Sequence, residues 1–181
     1  MAESTSAEWV TRAQAGEAEA IGRLYDQHHE ALFRYLWARV GERQLAEDLT
    51  GEVFMRMLNA LPHYRASTAP FRAWLYQIAR NLLVDHYRKM SGRVVVPLQQ
   101  AEGMRDGMND LSLTVEHQLT MERVHQALAR LDEAQREVVS LRFLSGLSLQ
   151  EVAAALGKTE NSVKALQHRG LAALRRALGQ G

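Results

Sequence analysis

The chain of 181 residues contains no cysteine. That excludes disulfides, thiolate zinc ligands and a cysteine redox switch within it. No apolar run approaches the ~18 residues that a membrane-spanning helix needs, so membrane insertion is not expected. The opening MAESTSAEWV is acidic and polar and lacks the basic-then-apolar layout of a secretory signal. Cytoplasmic is therefore the simplest location. Proline is scarce, with three residues confined to positions 62 to 97. Strand signals are missing too: no segment sustains the alternation of a half-buried strand, and the VVV at 94–96 is short and adjoins Pro97.

What is present is helical periodicity. In AIGRLYDQHHEALFRYLWARV the apolar positions Ile21, Leu24, Tyr25, Leu32, Leu36 and Val40 keep to one stripe, and Gly41 supplies a stop. A second helix fits LAEDLTGEVFMRMLNAL, through Leu45, Leu49, Val53 and Met57, and ends at Pro62. A third runs from about Phe71 to Lys89, with Phe71, Trp74, Leu75, Ile78 and Leu82 inward. Tyr76, Leu83 and Tyr87 fall on its other side, which suits a central helix contacted on more than one face. From Ser91 to about Thr114 the text turns to Gly, Pro, Gln and Asn without a period, the pattern of a linker. Beyond it, VEHQLTMERVHQALARL reads as one helix through Val115, Leu119, Val124, Leu128 and Leu131, and Asp132 can cap the next. The expected architecture is all-α: two small helical domains, 1–92 and 115–181, on a flexible linker at 93–114.

The stretch LSLQEVAAALGKTENSVKALQHRGLAALRRAL has a specific shape. Ser148 can cap a short helix, Gly157 can end it in a left-handed turn, and Thr159 can cap a second whose first buried anchor is Val163. Helix, glycine turn and capped helix at this spacing predict a helix-turn-helix in the second domain. A structural αα-hairpin shares the pattern, but the second helix is basic. With Val163 as the core direction, Gly170, Leu171, Leu174 and Leu178 share an apolar arc. Asn161, Ala165, His168 and Arg169 fall opposite it, flanked by Ser162 and Lys164. In a major groove, Arg169 is the best candidate for a bidentate guanine contact, worth ~1–3 kcal/mol of discrimination.

The net charge of +1 hides two basic segments. Arg65, Arg72, Arg80, Arg88, Lys89 and Arg93 are opposed only by Asp85, and Lys158, Lys164, Arg169, Arg175 and Arg176 only by Glu160. Two such segments suit two footprints on a polyanion, or two solvated helix faces. The compensating acid includes Glu42, Glu47, Asp48 and Glu52.

On AEDLTGEVFMRML, FRAWLYQIARNLLVDHYRK and the C-terminal block from LDEAQREVV to ALRRAL, the sequence resembles the extracytoplasmic-function (ECF) sigma factors. These are the smallest bacterial promoter-recognition subunits of RNA polymerase, and the resemblance covers nearly the whole chain. It implies that the second helix, around Glu47, Asp48, Glu52 and Arg56, binds the clamp helices of the largest polymerase subunit. It implies that the loop from Pro62 to Pro70 and the following helix meet the −10 element, where unpaired bases need stacking surfaces, polar edges and phosphate neutralisation. His63, Tyr64, Arg65, Phe71, Trp74, Arg80, Asn81 and Arg88 carry those chemistries, with Phe71 and Trp74 also on the core stripe. The second domain would read the −35 element, with Arg142 adding a DNA contact from the preceding helix, and would meet the flap of the second-largest subunit. The linker would thread toward the polymerase active centre. An anti-sigma factor is the implied regulator, and no cofactor is implied. Two departures stand out. Many members carry Arg at the position of Leu166 and an aliphatic residue at that of Gln167; Gly51 replaces a usual polar residue.

A helix-turn-helix regulator with an N-terminal sensor or dimerisation domain is the alternative reading. An enzyme is not expected. His28 and His29 are adjacent and do not share a helix face, the other histidines are scattered, and no nucleophile–base–orienter set or metal-ligand spacing occurs.

Overall fold

The computed structural model describes residues 2–92 and 111–179, and among these every regular element is helical. In chain order they are α1 (Ala2–Gln14), α2 (Ala18–Val40), α3 (Arg43–Ala60), α4 (Phe71–Ser91), α5 (Leu111–Ala129), α6 (Glu133–Val139), α7 (Leu149–Leu156) and α8 (Glu160–Gly179). A 3-10 turn, Leu61–His63, extends α3, and a π turn, Ser140–Leu144, extends α6. Of the expected linker, 93–110 lies outside the described residues, and α5 opens at Leu111, four residues before the expected helix start at Val115.

The first half is built as its periodicity requires. Leu24, Leu32 and Leu36 of α2, Val53 and Met57 of α3, and Leu75 and Leu83 of α4 are buried together. Gly41 ends α2 with φ +78° and donates its N–H to the Trp37 carbonyl at 2.8 Å. A side chain there would strike the His125 ring at 2.7 Å, so the position needs glycine twice over. The helix α1 has no counterpart in the sequence reading, because only Trp9, Val10 and Ala13 mark an apolar face. It docks on α2 through Val10 and Ala13.

In the second half, local chemistry sets the boundaries. Asp132 caps α6 by accepting from the Gln135 N–H at 2.8 Å. Ser148 and Glu151 form a reciprocal capping box on α7, and Gly157 closes that helix at φ +65°. Thr159 accepts from the Ser162 N–H at 3.1 Å to open α8. Val163, Leu166 and Gly170 form the buried face of α8. Gly170 lets α8 approach α6, since a Cβ there would lie 2.7 Å from Val139 Cγ2.

Not every expected core position is inside. Val115 and Leu119 of α5 are 53% and 55% exposed, and Leu178 at the end of α8 is 60% exposed. Val115 and Leu178 lie toward the ends of their helices and Leu119 near the middle of α5, and among the described residues no element covers these positions.

The two halves pack directly on one another. The helix α4 touches α3 on one side and α7 on the other, which accounts for its nearly all-round apolar character. Gln77 donates to the Ala154 carbonyl at 3.1 Å, and Arg72 binds the Glu151 carboxylate through both Nη2 and Nε, the latter at 2.8 Å. Nearby, Arg39 Nη1 lies 2.6 Å from Glu137 Oε1, with the two side chains only 3% and 5% exposed. That contact is an ion pair by distance, but its N–H does not point along it, and Arg39 Nη1 and Nε make no hydrogen bond. Tyr35 donates to the other Glu137 oxygen at 3.1 Å, and Arg39 Nη2 donates to Glu133 at 3.0 Å.

Candidate nucleic-acid and polymerase interfaces

The polar face of α8 is laid out as its spacing predicts. Asn161, Lys164, Ala165, His168 and Arg169 are exposed and Ser162 half-exposed, opposite the buried Val163, Leu166 and Gly170. Small, cationic and hydrogen-bonding side chains thus share one unobstructed strip, the chemistry that reads base edges and phosphates. Arg142 sits on the π turn just before the helix-turn-helix and is half-buried. Its Nε donates to Gln167 Oε1 at 2.9 Å and its Nη1 to the Leu147 carbonyl at 2.6 Å. The Leu166–Gln167 pair is thereby accounted for: Leu166 enters the core, and Gln167 holds Arg142.

The loop between α3 and α4 presents His63 and Arg65 to solvent, while Asn81 and Arg88 are exposed along α4. Tyr64 requires a correction. Its ring is 8% exposed, 4.6 Å from Trp74 and edge-on to Phe71 at 5.8 Å, and its hydroxyl donates to the Ala69 carbonyl at 2.7 Å. Tyr64 therefore shapes the loop and is not available as a stacking platform; burial raises its phenol pKa. Trp74 is half-buried in the same cluster. Gln14 of α1, which the sequence reading missed, donates to the Leu61 and Tyr64 carbonyls at 3.1 and 2.8 Å. Both N–H groups of one amide thus fasten the base of this loop across nearly fifty residues of sequence, and nothing local in AQAGE signals that.

The first basic segment is partly neutralised by acids from the second half. Arg72 pairs with Glu151, and Arg80 Nε lies 3.9 Å from Glu137. Burial opposes ionisation of Glu151, but its bonds from Arg72 and Ser148 win and hold its pKa below the usual carboxylate value. His28 of α2 is buried against the Phe71 ring at 5.3 Å. Burial, reinforced by Arg72, pushes its pKa down to about 4.

On α3, Glu47, Asp48 and Glu52 are exposed opposite the buried Leu49, Val53, Phe54 and Met57. Glu47 pairs with Arg43 at 3.4 Å, and Arg56 bridges Glu52 at 3.4 Å and Asp85 at 3.3 Å. Met55, 58% exposed and three residues on from Glu52, adds an apolar side chain to the exposed surface of α3 that the charge pattern alone did not reveal. Among the described residues, no three His, Asp or Glu side chains gather in a way that could hold a metal ion, and no helix is long and apolar enough to cross a membrane.

Two family models match this chain: Sigma-70 region 2 over residues 24–93 and Sigma-70 region 4 over residues 127–176. The chain is 41% identical over 171 residues to the ECF RNA polymerase sigma factor BldN of Streptomyces coelicolor, covering 94% of this chain and 65% of BldN. It is 35% identical over 166 residues to the ECF RNA polymerase sigma factor SigX of Bacillus subtilis, covering 87% of this chain and 83% of SigX. Among solved structures, CnrH in complex with the cytosolic domain of CnrY matches with a TM-score of 0.70 at 25% identity, over 95% of this chain and 96% of CnrH. The region 2 match holds α3, the loop and α4, and the region 4 match holds the helix-turn-helix. The chain belongs to the ECF RNA polymerase sigma factors, promoter-recognition subunits that carry no catalytic centre of their own.

Proposed function

We propose that this protein binds core RNA polymerase and directs promoter-specific initiation in the cytoplasm, using one half of the chain for each promoter element. Residues 1–92 form the unit that docks on polymerase through Glu47, Asp48, Glu52 and Arg56. That unit meets the −10 element through His63, Arg65, Asn81 and Arg88, with Arg80 once it leaves Glu137. Residues 115–181 read the −35 element through Arg142, Asn161, Ser162, Lys164, Ala165, His168 and Arg169, and 93–114 connects the two. One observation carries this reading: α8 is divided into a buried apolar face and an exposed strip of amide, imidazole and cationic groups. A structural hairpin has no need of that strip.

The clamp helices of the largest subunit and the flap of the second-largest are the polymerase surfaces that the resemblance assigns. A protein regulator of the anti-sigma type fits the same reading, since CnrH was solved with a protein partner.

Reconstitution with core polymerase, followed by sequencing of transcripts made on genomic DNA, tests the function. Promoter-specific start sites are expected. The absence of both core association and promoter-specific transcripts would sink the proposal. Arg169→Ala and Lys164→Ala lower −35-dependent transcription while core binding persists; Asp48→Ala weakens core binding itself, and transcription falls with it. Unchanged promoter preference and output in Arg169→Ala would show that the face assigned to α8 is wrong. Promoter affinity should fall steeply with salt, because phosphate contacts release counterions.

A further inference from the structure

Arg142 and Gln167 lie 25 residues apart, on the π turn before the helix-turn-helix and on the recognition helix itself. The Gln167 amide oxygen accepts from Arg142 Nε at 2.9 Å, and the Leu147 carbonyl accepts from Nη1 at 2.6 Å. The Arg142 guanidinium carbon also stands 5.9 Å from the Phe143 ring centroid. A free arginine samples many rotamers and loses that freedom when it binds a phosphate or base. Arg142 has already lost much of it in the absence of DNA.

We infer that Gln167 is a positioning residue for promoter recognition: it fixes the Arg142 guanidinium beside α8 so that both engage the −35 duplex as one rigid reader. The donor inventory is consistent with this. A guanidinium has five N–H groups, and the two bonds named engage Nε–H and one hydrogen of Nη1. Three N–H groups remain, on the Nη1 and Nη2 end, for phosphate or base oxygens. An aliphatic side chain at 167 could cover the arginine stem but could not accept from Nε. Glutamine suits the position because its oxygen accepts without bringing a negative charge toward DNA. The flanking geometry helps too, since Leu166 is buried and Lys164, His168 and Arg169 are exposed on the same helix. Placing Arg142 relative to Gln167 therefore places it relative to the other readers. The π turn, closed by the Ser145 N–H on the Ser140 carbonyl at 3.3 Å, swings Arg142 to this side.

This inference rests on the reading of α8 and Arg142 as the −35 interface, and the test separates the two. Holoenzyme is reconstituted with Gln167→Leu, Arg142→Ala, the double variant and Arg169→Ala. Affinity is measured for a duplex promoter mapped by transcript sequencing with the unmodified protein. Gln167→Leu should weaken binding about three- to tenfold, the value of one such hydrogen bond. The double variant should bind no more weakly than Arg142→Ala alone. In 1H–15N spectra of the full free chain, the Arg142 Nε–H signal, identified by its loss in Arg142→Ala, should be protected from exchange. That protection should vanish in Gln167→Leu and return in Gln167→Glu, which restores an acceptor. Additive losses, or a protected Nε–H in Gln167→Leu, overturn the positioning role. If Arg169→Ala weakens binding and Arg142→Ala does not, only the positioning inference falls. If neither does, the −35 reading falls and takes the inference with it.

Discussion

His28 is a titratable group in a place that discourages its charge. It is buried, its Nε2 has no hydrogen-bond partner, and the Phe71 ring covers it. Arg72 facing it disfavours a second cation, while Glu151 acts weakly in the opposite sense. Its pKa falls from 6.5 to about 4. Between those values the unfolded chain binds a proton that the folded chain refuses. Stability from this group is therefore complete above pH 6.5 and is lost as pH falls toward 4. The shift corresponds to roughly 3 kcal/mol at most. His28→Leu removes both the unpaired nitrogen and the titration. Urea unfolding at pH 4.5, 5.5 and 7.5 should show the native protein weakening on acidification by ~2 kcal/mol more than the variant. Parallel pH profiles would mean that His28 is not protected from protonation. Glu151 adds a separate acid-sensitive contribution at lower pH: its pKa is depressed, so its share is present above the ordinary carboxylate value and lost below it.

Two glycines of the helix-turn-helix are required for different reasons, and the difference is measurable. Gly157 has open space around it but a φ of +65°, so alanine there is strained by backbone alone. Gly170 has ordinary helical backbone, but a Cβ would press on Val139 at 2.7 Å. Gly170→Ala should cost about 1–3 kcal/mol by overpacking. Adding Val139→Ala should make the double loss smaller than the sum of the single losses, whereas Val139→Ala should not relieve Gly157→Ala. Strictly additive losses for Gly170 and Val139 would mean that α8 shifts away from α6 instead of clashing. These positions also mark what was legible at this scale. Ser148, Gly157, Thr159 and Val163 announced the motif because capping and turn chemistry act over three or four residues of sequence. The burial of Tyr64 was not legible, because it depends on Phe71 and Trp74 arriving from the next helix. Helix α1 was missed because a short helix with a narrow apolar face has little period to read. The bond from Gln167 to Arg142 had one visible clue, a polar side chain beside the core arc, but its partner could come only from the fold.

At the scale of the whole molecule, the halves are joined by charge in a dry place. Arg39 of α2 and Glu137 of α6 are more than nine-tenths buried, and Tyr35 hydrogen-bonds to the same carboxylate. The sequence offered only an arginine in LWARV and a glutamate in QREVV, each on its own apolar helix. Neither reveals that the other neutralises it a hundred residues away. Removing one member of such a pair strands a charge, which costs about 3–5 kcal/mol, whereas replacing both with apolar residues of similar volume can be nearly neutral. Arg39→Leu and Glu137→Leu should each lower the stability of the full chain by that amount. Arg39→Leu/Glu137→Leu together should recover most of the loss, although the Tyr35 hydroxyl and Glu133 then lose their partners and limit the recovery to well short of complete. The readout is a double-mutant cycle from denaturant unfolding of the full chain. A coupling near zero would mean that the pair does not act as one unit. A coupling of several kcal/mol would establish that these two residues hold the unit carrying the −10 face against the unit carrying the −35 face. Because Glu137 also draws Arg80 of the proposed −10 face to 3.9 Å, the same cycle repeated in Arg80→Ala should keep nearly all of its coupling. Arg80 is too far and too exposed to substitute for Arg39, and is therefore free to leave for DNA without collapsing the joint.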